Sequence, residues 1–376
     1  MLEYQWPCLL ALLPPEAQLD EAARRMGALR RRRVVRSASA LLRLCLAYGF
    51  CDMPLRQTAA WAHVANVAEL SDVALLKRLR TAGDWLGWLV GVKLAERAPP
   101  PPAATHRLRL FDATVVSRPG SKGTDWRVHL GFDLSRLAID QLELTDASGG
   151  ESLARFSLCP GQVAVADRGY AHRRGLHGVR AQEAHFIVRI NWQNLPLVGP
   201  SGVRFDPMGF LRGLPDTAAA EQDVLVAPSA REGLPELPAR LAAVRKSEPA
   251  ARAARKTALH EAAKKGRTPD ARTLESAAYV MVLASLPREE ISCAEILELY
   301  RFRWQIELAF KRLKSLLHLD HLPARDPPLA RTILYAKLLA ALLLDDFTDR
   351  FLAFSPWGYR LAHPSAVPVA HPARPA

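Results

Sequence analysis

The spacing of apolar residues changes from helical to alternating near residue 100. Before that point, apolar side chains recur every three or four positions, as they do in amphipathic helices. This repeat predicts helices over Pro15–Arg33, Ser37–Phe50, Pro54–Asn66 and Ser71–Lys93. The run Pro99–Pro102 suits neither a helix nor a central strand. We therefore place a boundary there and predict an all-α N-terminal domain over residues 1–98.

Beyond the prolines, apolar and polar residues alternate, which predicts a mixed α/β core. Residues 103–190 form the first part of this core. The predicted strands are His106–Asp112, Trp126–Asp133, Leu137–Thr145, Gln162–Asp167 and His185–Ile190. Helices are predicted over Gly149–Leu158 and His172–Gln182. This order is that of an RNase H-like mixed sheet flanked by helices, in which the first and fourth strands are parallel neighbours. Both of these strands are predicted to end on an aspartate, Asp112 and Asp167, which would then face each other.

Residues 191–286 interrupt this pattern with many prolines and glycines. Short strand-like runs and a basic stretch, Pro249–Lys265, predict a β-rich insertion subdomain with one basic helix. Tyr279–Leu286 would return the chain to the core, which helices in residues 287–355 would complete. We expect the proline-rich tail, residues 356–376, to be poorly ordered.

The segment Tyr300–Lys314 lacks glycine and proline and is rich in helix formers, so we predict one continuous helix. At about 100° per residue, its polar side chains Tyr300, Arg303, Glu307 and Lys314 share a strip roughly 60° wide. A glutamate among cations is usually an ordinary surface ion pair. Two further acids nearby would make it part of a catalytic site.

The chain carries 51 Lys and Arg against 38 Asp and Glu, a net charge of +13. Such a surplus favours a polyanionic partner, nucleic acid first and an anionic membrane second. The densest basic block is Arg30, Arg31, Arg32 and Arg33. Leu55–Val67 and Ser71–Arg80 could form a helix-turn-helix that presents Lys77 and Arg78 to DNA. A helical bundle with solvated arginines is the alternative.

The five cysteines form no C-x-x-C pair, which argues against a disulfide framework or a zinc site and favours a reducing compartment. The N-terminus has no basic leader, and the apolar run Leu338–Leu344 is too short to span a bilayer. We therefore expect a cytoplasmic protein with no membrane partner.

Other acids and histidines compete with the two strand-end aspartates as site residues. Asp125, Asp133 and Asp140 are better explained as turn or strand-edge residues. His129 and His172 have no metal-ligand spacing to support them.

Three segments resemble the DDE transposases of bacterial insertion sequences. The spacing Tyr-x2-Arg-x3-Glu-x6-Lys from Tyr300 is similar to the YREK signature of that family. Asp112–His129, with its Gly-Thr-Asp-Trp-Arg stretch, resembles the first-aspartate segment, and Ala166–Tyr170 resembles the second. The resemblance extends over residues 108–344 and leaves the first hundred residues less specifically covered.

The resemblance implies metal-dependent DNA cleavage at element ends and strand transfer to target DNA. Carried over by position, the metal ligands would be Asp112, Asp167 and Glu307. The residues that hold terminal DNA phosphates would be Tyr300, Arg303 and Lys314. Carboxylates suit two Mg²⁺ ions, for which Mn²⁺ could substitute.

The partners implied are double-stranded DNA, as element ends and as target, and a second copy of the chain in a dimeric synapse. The site of action would be the bacterial cytoplasm, at the nucleoid. Two alternatives stay open: an RNase H-like nuclease or resolvase without strand transfer, and a non-catalytic DNA-binding transposase remnant. Neither alternative would produce DNA in which an element end is joined to target DNA.

Overall fold

The computed structural model describes residues 6–96 and 107–353, apart from residues 122, 137, 215–217, 320–321 and 323. The predicted proline joint Pro99–Pro102, the strand start at His106 and the tail 356–376 lie outside the described residues. The proposed division into domains stays a prediction.

The N-terminal region is helical, as its apolar repeat predicts. Its helices are α1 (Trp6–Leu10), α2 (Glu16–Arg25), α3 (Ala38–Gly49), α4 (Leu55–Val64) and α5 (Asp72–Glu96). Ser37 caps α3 by accepting a hydrogen bond from the Ala40 amide at 3.1 Å. The prediction that α2 continues to Arg33 is wrong. Gly27 adopts φ +74° just after α2, a left-handed conformation that ends a helix.

The core has the predicted strand order. Its strands are β1 (Leu108–Val116), β2 (Trp126–Asp133), β3 (Ala138–Asp146), β4 (Val163–Ala166) and β5 (His185–Arg189), with α6 (Arg173–Arg180) between the last two. The strands lie in the order β3-β2-β1-β4-β5, and β1, β4 and β5 are mutually parallel. This arrangement is the RNase H-like mixed sheet expected from the sequence. The helix predicted over Gly149–Leu158 is wrong, because only a three-residue turn, Leu153–Arg155, is helical there.

The first strand does not end at Asp112. It pairs with β4 only as far as Phe111 opposite Ala166, but it stays paired with β2 through Val116. Asp112 is therefore the first residue of β1 beyond the shorter strand β4. The pairing with β2 keeps the backbone extended where the sequence pattern alone suggested an end.

The insertion extends the core sheet. It contains β6 (Leu197–Val198), α7 (Pro207–Arg212), β7 (Ala220–Val226), β8 (Leu237–Arg245), α8 (Glu248–Lys264), α9 (Ala271–Ser276) and β9 (Tyr279–Ala284). Strand β9 returns to the core, as predicted, by pairing antiparallel with β5. The result is one nine-stranded sheet in the order β3-β2-β1-β4-β5-β9-β8-β7-β6.

Three helices, α10 (Cys293–Arg301), α11 (Trp304–Leu317) and α12 (Pro327–Ala353), complete the core. Helix α12 packs against α5 and α3, so the N-terminal helices share one hydrophobic interior with the sheet. By length and hydropathy the window Pro327–Phe347 could cross a membrane, but 72% of it is buried inside the protein. Such burial is what a central helix of a globular core shows.

Candidate active site

Two aspartates lie level on adjacent parallel strands. Phe111 of β1 pairs with Ala166 of β4, so the next residues, Asp112 and Asp167, occupy equivalent positions at the carboxyl edge of the sheet. The backbone at Asp167 is extended, with φ −82° and ψ 179°. Side chains at equivalent positions of parallel strands project to the same face. The register therefore brings the two predicted acids together.

The Asp112 carboxyl has an unusual environment. Burial raises its pKa to about 6, while the hydrogen bond from the Ala113 amide, at 2.8 Å, and the charge of Arg303 oppose the rise. The carboxylates of Glu151 and Asp167 raise this pKa further. Negative groups that repel one another in a half-buried pocket favour the binding of a cation.

Tyr300 lies at the end of α10 and is buried against the second aspartate. Its hydroxyl donates a hydrogen bond to Asp167 Oδ1 over 3.5 Å. Burial raises the pKa of the Tyr300 hydroxyl to about 12, so this group keeps its proton at neutral pH and acts as a donor. Tyr300 therefore orients Asp167.

The continuous helix predicted over Tyr300–Lys314 is wrong. The Phe302 and Arg303 amides bond to carbonyls only three residues earlier, over 3.1 and 3.0 Å, which marks a tight turn between α10 and α11. Tyr300 therefore does not continue the polar strip of α11. The turn lets Tyr300 and Ile306 both be buried, at 9% and 0% exposure, although they lie on different helices.

Glu307 lies on α11 and lines one cavity with Asp112, but it is paired with an arginine. Its Oε1 is 2.5 Å from Arg303 Nη2, and its side chain is 54% exposed. Glu307, Asp112 and Lys314 line one open cavity of about 540 Å³. Burial lowers the pKa of Arg303, but Tyr300, Asp167 and Glu307 raise it. The resulting pKa lies above the usual value for an arginine. The arginine therefore stays charged among the acids.

The donor atoms fit a divalent cation only in part. Among the described residues, no three His, Cys, Asp or Glu side chains converge closely enough to hold a metal together. Asp112 and Asp167 supply adjacent hard oxygen ligands, which suit Mg²⁺ or Mn²⁺. Glu307 could join them as a ligand only if its ion pair with Arg303 were broken. The assignment of these three acids as ligands stays a prediction.

Two charged residues near the aspartates were missed by sequence reasoning. The Glu151 carboxylate lies so close to Gly169 that a Cβ there would be 1.6 Å from Glu151 Oε2. Burial and then Asp167 raise the pKa of Glu151, although Arg127 opposes them. No motif marks Glu151.

Arg189 is the second missed residue. Val188 of β5 pairs with Ala166, so Arg189 is level with Asp167 on the next strand. No signal in the sequence identifies this cation, because its position depends on the register between β4 and β5.

The competing acids and histidines have structural partners. Asp125 pairs with Arg118 at 2.6 Å, Asp133 with Arg107, and Asp140 with the buried Arg109 at 2.6 Å. His129 lies 3.0 Å from Thr145 Oγ1, and His172 caps α6 by accepting from the Gly175 amide at 3.2 Å. These contacts agree with the structural interpretation of all five residues.

The predicted DNA-binding residues of the N-terminal region lie near one another. Arg30, Arg31, Arg33 and Lys77 are exposed. Arg32 pairs with Asp20 at 2.5 Å, and Arg78 donates to the Arg31 carbonyl at 2.9 Å, which ties the basic block to α5. Their contact with DNA stays a prediction.

Comparison with known proteins supplies the family. The sequence model described as Transposase DDE domain matches residues 103–343, more than half of the chain. InsL, named as a transposase of insertion sequence element IS186A in Escherichia coli strain K12, is 45% identical over 355 residues, which cover 93% of this chain and 96% of InsL. The transposase for insertion sequence element IS421 of Escherichia coli is 45% identical over 356 residues, with the same coverage of both chains.

A solved structure, the piggyBac transposase synaptic complex with hairpin DNA, aligns with a TM-score of 0.47 and 9% identity. The alignment covers 93% of this chain and 76% of that one.

Transposases with the matched domain generally depend on divalent metal ions and have DNA as their partner. The matched range contains Asp112, Asp167 and Glu307. The extent of the domain match and the identity to full-length relatives lead to one conclusion. This chain is a DNA transposase and belongs to the DDE transposase family.

Proposed function

We propose that this transposase cuts DNA at the ends of an insertion sequence and joins the freed 3′ end to target DNA. The observation that carries the proposal is the level placement of Asp112 and Asp167 on parallel strands, with Glu307 on the same cavity as Asp112. An open cavity lined by both acids and cations suits a DNA phosphate beside metal ions.

Carboxylate oxygens are ligands that Mg²⁺ prefers, so we propose Asp112, Asp167 and Glu307 as ligands of two Mg²⁺ ions, with Mn²⁺ as a substitute. When bound, such ions would activate the attacking hydroxyl and stabilise the leaving oxygen. In the structure, Arg303 pairs with Glu307 and neutralises part of its charge. Binding of ions would release Arg303 from Glu307.

We propose that Arg303, once released from Glu307, binds a DNA phosphate. Arg303 lies with its guanidinium 5.8 Å from the centre of the Tyr300 ring, and it can bind a phosphate with two parallel hydrogen bonds. Lys314 lines the same cavity and would act as a point charge toward the next phosphate. Tyr300 keeps Asp167 oriented through its hydroxyl.

Transposition of an element requires two ends to be held together, so we propose a dimer in the DNA synapse. We also propose that the protein acts in the bacterial cytoplasm, at the nucleoid. All five cysteines are free, which suits a reducing compartment.

Incubation of the purified chain with duplexes carrying the element ends, a target plasmid and Mg²⁺ tests the function. We expect nicked ends and joined end–target molecules with the wild type, and neither with Asp112→Asn or after chelation. Cleavage without joined products would instead identify a nuclease. Binding without cleavage would identify a non-catalytic remnant.

A further inference from the structure

Helix α8 is the most exposed long helix of the insertion. It has 17 residues, of which Ala251 is the buried one. Ala254, Ala258 and Ala262 are half-buried and lie on the same side as Ala251, at helical spacing. Small alanines thus seat one face of α8 on the protein and leave the opposite face in solvent.

The exposed face carries a ridge of basic side chains, which we call the α8 ridge: Arg252, Lys256, His260 and Lys264. They are spaced by four residues, so each step rises about 6 Å and the whole ridge spans about 18 Å. Lys256 and Lys264 have no salt bridge among the described residues, and Arg252 has only a loose one, 3.9 Å to Glu248. The ridge is therefore a row of charges without strong partners.

Helix α8, which carries the ridge, follows a strand that ends at the active-site edge of the sheet. Strands β5 and β8 both run antiparallel to β9, so they are parallel to each other and end at the same edge. Arg189 ends β5 level with Asp167, and Lys246 follows the end of β8, just before α8. Lys246 donates to the Ala277 carbonyl at 2.6 Å.

The cations at this edge lie close enough to influence one another. Burial lowers the pKa of Lys246 to about 8, and the charges of Arg189 and Arg168 lower it further. Arg168 directly follows the active-site Asp167 in sequence. Positive charge therefore leads from the aspartates to Lys246, which lies two residues before Glu248, the first residue of α8.

We propose that the α8 ridge binds the phosphates of duplex DNA that continues out of the active site across the insertion. The inference rests on the proposed function, which places DNA at the carboxyl edge of the sheet. Duplex DNA carries one charge per roughly 1.7 Å, so a ridge of about 18 Å can meet several phosphates. A protein partner is less suited to this face, because Leu259 is its one large apolar exposed residue and cations surround it.

Salt-dependent binding of a random-sequence duplex of about 30 base pairs tests the ridge, with the full-length protein and no metal. The variant is Lys256→Gln with Lys264→Gln. Each phosphate contact contributes about 0.9 to the slope of log affinity against log salt, so the slope should fall by about 1.8. Between 50 and 200 mM salt, the variant should therefore lose about 12-fold less affinity than the wild type.

The matched control also removes two positive charges: Lys265→Gln with Arg231→Gln. Lys265 is exposed and directly follows the last residue of α8, about 180° around the helix axis from Lys256. Arg231 is exposed between β7 and β8, at the other edge of the sheet. The control should keep the wild-type slope, and all proteins should melt together because the replaced side chains are exposed.

The proposal is overturned if the ridge variant keeps the wild-type slope, or if the control loses as much slope as the ridge variant. Its failure can be distinguished from failure of the proposed function. A wild type that cleaves and joins ends while its ridge variant binds normally contradicts the ridge alone. A ridge variant that shows the reduced slope, beside a wild type that never cleaves, contradicts the catalytic proposal alone.

Discussion

His129 is a buried histidine beside the active site, and its titration should be visible in the stability of the protein. It is 0% exposed and lies on β2 opposite Ala113, the neighbour of Asp112. Burial lowers its pKa to about 4 from an ordinary 6.5, and the charges of Arg155 and Arg127 contribute to the shift. The structure therefore contains a neutral imidazole that the fold penalises for gaining a proton.

The direction and size of the effect follow from these pKa values. Because the pKa of His129 is lower in the folded state, protons bind the unfolded chain more tightly. The stabilisation is complete above pH 6.5 and is lost as the pH falls toward 4. Integration between pH 7.5 and 5.0 gives a loss of about 2 kcal/mol from this one residue.

Urea unfolding of the wild type and His129→Gln at pH 7.5 and 5.0 measures this loss. Both proteins will lose stability in acid through other groups, and we expect the wild type to lose about 2 kcal/mol more than the variant. Glutamine keeps a polar group near Thr145, which lies 3.0 Å from the His129 ring. An identical acid loss in the two proteins would refute the assignment of His129 as a buried neutral residue.

Further predictions concern the α11 helix, the core and the cavity. Ile306→Ala should lower the free energy of unfolding by about 2–4 kcal/mol in urea, because Ile306 is fully buried, while Ile306→Val should cost about 1 kcal/mol. Asp140→Asn should cost about 3–5 kcal/mol, since it leaves the buried charge of Arg109 unpaired. Lys314→Gln should reduce the salt slope of end-DNA binding by about 0.9, measured by fluorescence anisotropy.

Each of these expectations has a result that contradicts it. Equal stability of Ile306→Ala and Ile306→Val would mean that Ile306 does not seat α11 on the core. Glu298→Gln is the control for Asp140→Asn, because Glu298 and Arg301 are both exposed and 3.9 Å apart, so its cost should stay below about 0.5 kcal/mol. Equal costs of these two variants would contradict the burial argument. A wild-type salt slope for Lys314→Gln would remove Lys314 from the DNA contacts.

The central strands could be predicted because their apolar pattern is strong and local. Alternation over Trp126–Asp133 marked a strand whose bounds the structure reproduces. The strand order then placed Asp112 beside Asp167, and the register confirms that placement. The sequence could not show that β1 continues past Asp112, since that depends on pairing with β2, a contact between distant residues.

The α10–α11 turn shows why helix propensity was insufficient near Glu307. Tyr300–Lys314 contains no residue that ends a helix, so local preference favours continuity. The turn at Phe302 and Arg303 allows Tyr300 to be buried beside Asp167 while Ile306 is buried on α11. The ion pair between Arg303 and Glu307 could be predicted from their i, i+4 spacing once α11 was assigned.

The most direct test of the account replaces Glu307 by cysteine and measures cleavage of end DNA with Mg²⁺ and with Mn²⁺. A thiolate is a poor ligand for Mg²⁺, and Mn²⁺ accepts sulfur more readily. If Glu307 joins Asp112 and Asp167 in holding the ions, cleavage by Glu307→Cys in Mg²⁺ should fall by more than the roughly 10- to 100-fold that loss of an outer-shell partner costs, and it should recover in Mn²⁺. Cleavage by Glu307→Cys at the wild-type rate in Mg²⁺ would contradict the claim that the three acids form one metal site.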